Sequence, residues 1–238
     1  MKGAVIRDFP RVSTEVLDEF ARLGTATVHE ARGRVGLMRP TMRPIYPGSS
    51  IAGNAVTVTV APGDNTMIHV VIEVCKPGDV LVIVPTSECS DGYFGELFGT
   101  ALKARGVRGT IIEAGCRDLA PLQEIGFPVW SKAVSAQGTV KETLGTINLP
   151  VVCAGQAVEA GDVIIADDDG VAVVPAGEVD SALAAARARL AKEEANRAKF
   201  QRGELGLDVY GMRAKLAEKG LVYFDTIADF KAASKTGG

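Results

Sequence analysis

The sequence predicts a domain of the α/β class, and three observations lead to this prediction. Between about residues 65 and 130, segments of helical periodicity alternate with short apolar strands, which is the pattern of α/β units. From Pro175 to about Arg202, an alanine-rich segment has apolar residues on one face and charges on the other, which predicts one long helix. The chain has 238 residues, enough to bury a sizeable core without disulfides or a structural metal.

Two helices and a long loop are predicted near the N-terminus. Apolar residues recur at helical spacing over residues 13–23, which predicts the first helix. Thr27 and Glu30 fit a capping box, so a second helix is expected to begin at Thr27. Residues 32–50 are rich in Gly, Pro and Arg and predict a long loop, a feature that is often functional in compact domains.

The central part of the chain supplies the strands. Apolar runs predict strands at 55–60, 79–84, 109–113, 128–131 and 151–153, and helices are expected at 65–75, 95–106 and 119–126. Residues 162–174 instead predict a hairpin that turns at Asp169-Gly170. The acidic residues of this turn lack the alternating positions and the final glutamate of a calcium-binding EF-hand loop, so the hairpin is favoured.

Composition and charge narrow the classes of function. The chain carries 26 basic and 29 acidic residues, a net charge of −3, which argues against a general nucleic-acid binder. No apolar run approaches the roughly 20 residues that span a bilayer, and Asp8 and Pro10 interrupt any signal-peptide core. We therefore expect a cytoplasmic protein with reduced cysteines, bound neither to nucleic acid nor to a membrane.

A glycine-rich turn at residues 92–98 (GYFGELF) is the first candidate site. It follows an apolar strand and opens a helix. The free N–H groups at a helix start attract anions, and glycine lets a ligand approach the backbone closely. A metabolite that carries a carboxylate would fit there.

A second candidate is Arg117-Asp118, which follows the strand GTIIEAG. Ligands of open α/β sheets bind at the carboxyl ends of strands. At such a position the guanidinium can grip a carboxylate or an enolate oxygen, and the carboxylate can hold a hard divalent cation. An exposed Arg–Asp pair in a loop would explain the same two residues. His29 and His69 have no second histidine nearby and no GxSxG motif is present, which argues against zinc hydrolysis and the usual serine triad.

The segments GELFGT, EAGCRD and TATVHEARGRVGLM, together with PGDN, resemble a known family. They are similar to the 4-hydroxy-4-methyl-2-oxoglutarate / 4-carboxy-4-hydroxy-2-oxoadipate aldolases, within the wider family of the regulator of ribonuclease activity A. The resemblance covers roughly residues 1–225, which implies a single aldolase domain followed by a flexible tail at 226–238. It implies a swivelling β/β/α domain with N-terminal helices and a long C-terminal helix, assembled as homotrimers or homohexamers.

The resemblance also implies a chemistry. The expected enzyme is a class II aldolase of aromatic-compound catabolism that releases pyruvate from either oxo-acid, with Mg²⁺ or Mn²⁺ bound by Asp118. Backbone N–H groups near Leu97 and Phe98 would hold the substrate carboxylate, and Gly95 would also bind the substrate. Arg117 would face the keto oxygen and stabilise the enolate.

Two acidic groups complete the implied site. Glu96 would orient a water of the cation, and Glu193, on the long helix of an adjacent subunit, would help a water remove the proton of the substrate hydroxyl. Glu194 is the alternative to Glu193. Glu30 and Asp64 are weaker candidates for the same pocket.

Other functions remain open at this point. A non-enzymatic protein that binds ribonuclease would have the same fold, and oxaloacetate decarboxylation would be a side activity through the same enolate. A Schiff-base aldolase would need a lysine, for which Lys132, after the strand PVWS, is the candidate.

Overall fold

The computed structural model describes residues 3–236. The chain divides into two compact units, Met1–Leu190 and Ala191–Gly238. The single domain expected over residues 1–225 stays a prediction. In the expected tail, residues Ile227–Thr236 form a helix, while its flexibility stays a prediction.

The helices and strands follow the predicted alternation. The helices are α1 (Thr14–Leu23), α2 (Thr25–Ala31), α3 (Thr66–Val71), α4 (Glu96–Ala104), α5 (Leu119–Glu124), α6 (Val179–Gln201), α7 (Gly206–Val209), α8 (Arg213–Glu218) and α9 (Ile227–Thr236). The strands are β1 (Ala4–Val5), β2 (Arg43–Pro44), β3 (Ile51–Val60), β4 (Asp79–Pro85), β5 (Gly92–Phe94), β6 (Gly109–Cys116), β7 (Val129–Val134), β8 (Thr146–Ile147), β9 (Val151–Cys153), β10 (Gln156–Val158), β11 (Val163–Asp167) and β12 (Gly170–Val174). No helix in residues 3–236 is long and apolar enough to cross a membrane.

A mixed sheet forms the centre of the first unit. Its main path is β1-β8-β3-β4-β6-β7-β2, and β3, β4, β6 and β7 are parallel. The β11–β12 hairpin joins β3 in antiparallel orientation, and the short strand β5 pairs in parallel with the end of β6. The strands that carry the candidate site are therefore parallel neighbours.

Both faces of the sheet are covered, as the nearly continuous apolar strands predict. Along β4, Leu81 and Ile83 face the cluster that includes Leu102 of α4 and Leu122 of α5. Successive residues of a strand point to opposite faces, so Val80 and Val82 instead pack with Trp130 and the segment around Met38. A third cluster joins α1, α2 and the buried start of α6 to the β11–β12 hairpin.

The predicted start of the second helix is wrong. Helix α2 begins at Thr25, directly after Gly24, and not at Thr27. The acceptor for its first N–H comes from far along the chain, because Asp167 Oδ2 accepts the Thr25 N–H at 2.7 Å. Glu30, the expected partner of Thr27, pairs instead with Arg34 at 3.0 Å.

The predicted hairpin at residues 162–174 is confirmed, with its turn one residue earlier than expected. Asp167 pairs with Gly170, so Asp168 and Asp169 form the two-residue loop. The carboxylate of Asp168 accepts the Gly48 N–H at 2.9 Å and thereby anchors the long loop of residues 32–50. These acidic residues thus serve as hydrogen-bond acceptors within the fold.

We predict that Asp167→Ala destabilises the first unit by about 1–2 kcal/mol, because it removes the acceptor at the start of α2. The matched control is Asp169→Ala in the same turn, which we expect to cost less than about 0.5 kcal/mol. Urea unfolding of the two variants measures both free energies. Equal losses in the two variants would contradict this role of Asp167.

Candidate active site

The pairing of β5 with β6 brings the two sequence motifs together. Phe94 at the end of β5 is the register partner of Cys116 at the end of β6. The Arg117 N–H donates to the Phe94 carbonyl at 2.9 Å, so the chain segments that leave both strands stay adjacent. Parallel strands end at the same edge of a sheet, and this is where the structure places Gly95 and Arg117.

Asp118 is held close to the start of α4. The Glu96 N–H donates to Asp118 Oδ2 at 3.1 Å, and Arg117 Nε lies 3.7 Å from the same oxygen. A Cβ added at Gly95 would lie 2.3 Å from Asp118 Oδ2, so only glycine leaves room for this approach. Asp118 itself adopts a left-handed conformation with φ of 59° and is the cap residue of α5.

The start of α4 offers one N–H group for an anion. The Phe98 N–H donates to the Gly95 carbonyl at 3.1 Å and is therefore already used. For the Leu97 N–H, the structure shows no acceptor within residues 3–236. The positive end of the helix dipole lies at the same place, so a carboxylate is the preferred ligand of this N–H.

A cavity of about 300 Å³ opens beside these groups. It is lined by four residues that the sequence singled out for binding and by four more, namely Gly95, Leu97, Phe98, Arg117, His69, Ile72, Ala101 and Lys141. Its walls carry two cationic side chains and no carboxylate. The cavity therefore suits a small anion with an apolar portion.

Lys141 and His69 reach this cavity because of a buried carboxylate. Asp64 is only 2% exposed and accepts hydrogen bonds from the Thr66 N–H and Oγ1, at 2.8 and 2.6 Å. It also accepts the Glu142 and Thr143 N–H groups at 2.8 and 2.7 Å. One carboxylate thus joins α3, which carries His69, to the loop that carries Lys141. Asp64 was a weak candidate for the pocket, and the structure places it below the cavity as a scaffold.

Ionisation in and around the cavity follows from these contacts. Burial opposes the charge on Asp64, but the hydrogen bonds from Thr66 and from the 142–143 backbone outweigh it and lower its pKa to about 2. Burial and the positive charge of Lys141 both lower the pKa of His69, whose ring lies 4.6 Å from the ring of Phe98. His69 is therefore neutral at pH 7. Burial and the nearby Asp118 raise the pKa of the Cys116 thiol to about 12, so it stays protonated.

The remaining acidic candidates lie elsewhere or have other contacts. Glu96 Oε1 accepts a hydrogen bond from the Thr100 hydroxyl at 2.6 Å, one turn along α4. Glu30 contacts Arg34 and Arg189, and its hydrogen bond from Arg34 lowers its pKa. Glu193 and its alternative Glu194 lie on the part of α6 that belongs to the second unit, so their roles stay predictions.

Lys132, the Schiff-base candidate, is not in this cavity. Its ammonium group forms an ion pair with Glu88 at 2.7 Å and lines a separate cavity of about 280 Å³ with Arg39 and Glu113. The structure therefore places the Schiff-base candidate away from Arg117 and the start of α4.

The donor set beside the cavity fits a hard divalent cation that keeps much of its water. Within residues 3–236 no cluster of three or more His, Cys, Asp or Glu residues could hold a metal ion. Asp118 is half-exposed, uses Oδ2 for the Glu96 N–H, and has Oδ1 without a protein donor in the described chain. Mg²⁺ commonly binds to one or two carboxylates together with water and substrate oxygens, which this arrangement permits.

Comparisons with known proteins identify the family of the chain. The family model described as RraA-like, Aldolase/RraA, matches residues 13–173. A protein of Halalkalibacterium halodurans, named "Putative 4-hydroxy-4-methyl-2-oxoglutarate aldolase", is 28% identical over 181 residues, which are 76% of this chain and 86% of that protein. A Burkholderia multivorans protein of the same name is 30% identical over 157 residues, 65% of this chain and 95% of its own.

A solved structure confirms the predicted fold class. The structure of Streptomyces coelicolor RraAS2, described as an unusual member of the RNase ES inhibitor RraA protein family, superposes with a TM-score of 0.71 at 24% identity. The match covers 80% of this chain and 99% of that protein. The sheet, the N-terminal helices and the long C-terminal helix are the expected ones.

We predict that Asp64→Asn destabilises the protein by about 2–3 kcal/mol at pH 7, because an amide cannot accept from all four donors. The pKa of Asp64 is lower in the folded chain, so this stabilisation is complete above its unfolded value. It declines as the pH falls from about 4 towards 2. Urea unfolding of both proteins between pH 2 and 7 measures the difference. A difference that does not shrink in acid would contradict the assignment, and Asp169→Asn is the control.

Proposed function

Because the chain belongs to the RraA-like (Aldolase/RraA) family, we propose that it is a divalent-metal-dependent pyruvate aldolase. The proposed substrates are 4-hydroxy-4-methyl-2-oxoglutarate and 4-carboxy-4-hydroxy-2-oxoadipate, which yield pyruvate together with pyruvate or oxaloacetate. The names of the relatives support a carbon–carbon lyase that cleaves 4-hydroxy-4-methyl-2-oxoglutarate. The proposed setting is aromatic-compound catabolism in the cytoplasm.

One observation carries the proposal. Arg117 and Asp118 meet the N-terminus of α4 at the carboxyl ends of β5 and β6, beside a cavity whose charged lining residues are cations. The side chains of Arg117 and Asp118 are 47% and 42% exposed. Even so, Arg117 lines the cavity and Asp118 accepts a hydrogen bond from the start of α4, which an unconstrained surface pair would not explain. The arrangement provides a carboxylate receptor, a guanidinium and a hard oxygen ligand within a few residues.

Three groups of the chain have separate roles in the proposed cleavage. When bound at Asp118, Mg²⁺ or Mn²⁺ supplies Lewis-acid polarisation of the keto group. The Leu97 N–H receives the carboxylate next to that keto group. Arg117 stabilises the negative charge that grows on the keto oxygen as the bond between C3 and C4 breaks. Such a contact contributes roughly 3 kcal/mol when it strengthens in the transition state.

Proton transfers complete the cycle. Through a water, Glu193 of a neighbouring subunit takes the proton of the C4 hydroxyl, and the C3–C4 electron pair moves to form the enolate of pyruvate. A proton then returns to C3, and Glu96 orients the water that delivers it. Oxaloacetate decarboxylation is the proposed side activity, because loss of carbon dioxide produces the same enolate.

A homo-oligomer, trimer or hexamer, is part of the proposal. Leu97 is 80% exposed at the cavity mouth, more than a large apolar side chain at a binding site usually is in an assembled enzyme. The second unit also exposes many large apolar side chains within the described residues, namely Phe200, Leu205, Tyr210, Met212, Leu221, Val222, Tyr223, Phe224, Ile227 and Phe230. Burial of these side chains against other copies would stabilise the assembly.

A non-enzymatic ribonuclease-binding regulator is the second candidate. The fold similarity to a protein described as an RNase ES inhibitor family member favours it. The coexistence of Glu96, Arg117 and Asp118 around the cavity favours the aldolase. A chain that bound a ribonuclease and turned over neither oxo-acid would support the regulator.

We predict that pyruvate release from both oxo-acids stops when a chelator removes divalent cations and resumes with Mg²⁺ or Mn²⁺. Asp118→Asn is expected to lower kcat/KM at least about 100-fold at saturating metal, because it weakens the cation's protein ligand. Asp169→Asn, in the remote hairpin, is the matched control and should retain full activity. Wild-type rates from Asp118→Asn, or full activity in the chelator, would contradict metal dependence.

We predict that Asp118→Asn and Glu193→Gln complement each other when the two chains are expressed together. Each variant alone should be strongly impaired, whereas a mixed oligomer contains some sites with both native residues. A rise in pyruvate release well above either variant alone is the expected result. If the mixture is no more active than the variants alone, the site lies within one subunit or Glu193 is not part of it.

A further inference from the structure

Lys141 is the cavity residue to which the proposed chemistry gives no role. It follows Val140, whose N–H donates to the Gly63 carbonyl at 2.8 Å and whose carbonyl accepts the Asn65 N–H at 3.0 Å. The next two N–H groups bind Asp64, so the backbone is held on both sides of Lys141. This loop therefore presents the lysine from a fixed position.

The ammonium group of Lys141 is available for a ligand. In the part of the chain that the structure describes, it forms neither a hydrogen bond nor an ion pair, although ion pairs are common among the other charged residues. It lines the same cavity as Arg117, and no carboxylate is among the lining residues. The cavity lining thus carries two positive charges. Within the described chain, Arg117 is paired with Asp118 at 3.7 Å, whereas Lys141 has no carboxylate partner.

The apolar lining and the neutral histidine limit what can bind. His69 adds a hydrogen-bonding ring without a third positive charge at pH 7, since burial and Lys141 lower its pKa. Its ring packs against Phe98, so α3 and α4 form one continuous wall. A volume of about 300 Å³ is at the lower end for ligand pockets, which suits an acid of about six or seven carbons.

We propose that Lys141 binds the distal carboxylate of the substrate, the one on the hydroxyl-bearing half that leaves when the C3–C4 bond breaks. In the proposed mechanism, Arg117 and the Leu97 N–H bind the keto-acid half of the substrate. The ammonium group of Lys141 therefore remains to bind the carboxylate at the other end. The proposal makes Lys141 the residue that selects oxo-acids with a carboxylate at both ends. It rests on the proposed aldolase function and adds to it a residue that determines substrate specificity.

Two reactions of the same enzyme separate this role from the chemistry. The cleavage substrate 4-hydroxy-4-methyl-2-oxoglutarate carries both carboxylates. Pyruvate, whose methyl protons exchange in D₂O, corresponds to the keto-acid half alone and lacks the distal carboxylate. NMR follows both reactions on the full-length protein with saturating Mg²⁺. A distal carboxylate receptor affects the first reaction alone.

We expect Lys141→Met to lower kcat/KM for cleavage about 10- to 100-fold, mainly through a higher KM, because one charge-assisted contact is lost. Exchange of pyruvate protons should stay within about twofold of the wild type. Lys141→Arg keeps the charge and should recover most of the cleavage activity. Lys132→Met, at the separate cavity, is the matched control and should change neither reaction.

Each outcome decides the matter. Unchanged cleavage in Lys141→Met, or equal losses of cleavage and exchange, would overturn the role of Lys141 while leaving the aldolase intact. A wild-type protein that catalysed neither reaction with any divalent cation would instead overturn the aldolase proposal itself.

Discussion

The site depends on one lateral contact, the parallel pairing of the short strand β5 with the end of β6. This pairing sets Phe94 opposite Cys116. The segments that follow the two strands, Gly95-Glu96 and Arg117-Asp118, therefore lie side by side at the same edge of the sheet. The hydrogen bond from the Glu96 N–H to Asp118 then fixes the start of α4 against Asp118, which itself caps α5. Because Gly95 carries no Cβ, the carboxylate can come this close without displacing the backbone.

Much of this arrangement could be predicted from the sequence. The glycine-rich turn and Arg117-Asp118 each follow an apolar strand, and strand ends are where α/β proteins bind ligands. Both features are local in the chain, which is why residue patterns could locate them. The helix over Glu96–Ala104 and the strands at Asp79–Pro85 and Gly109–Cys116 were likewise predicted. The strands are nearly continuous apolar runs because both faces of the sheet are covered.

Two features that the sequence did not predict, the start of α2 and the position of Lys141, depend on contacts between segments that are distant in the chain. The start of α2 is fixed by Asp167, more than a hundred residues away, so a local capping box pointed to the wrong residue. Lys141 lies in a stretch with no motif, and it reaches the cavity through Asp64 and the pairing of Val140 with the 63–65 segment. No local pattern encodes such a pairing, since both halves look like ordinary loops.

The burial of Cys116 next to Arg117 has a practical consequence for handling the protein. Three of the four cysteines, Cys75, Cys116 and Cys153, are buried, and burial raises the pKa of each thiol. Alkylating reagents attack the thiolate of an accessible cysteine, so the half-buried Cys89 is the one they reach first. A fluorophore attached there would sit three residues before β5, the strand that leads into the start of α4.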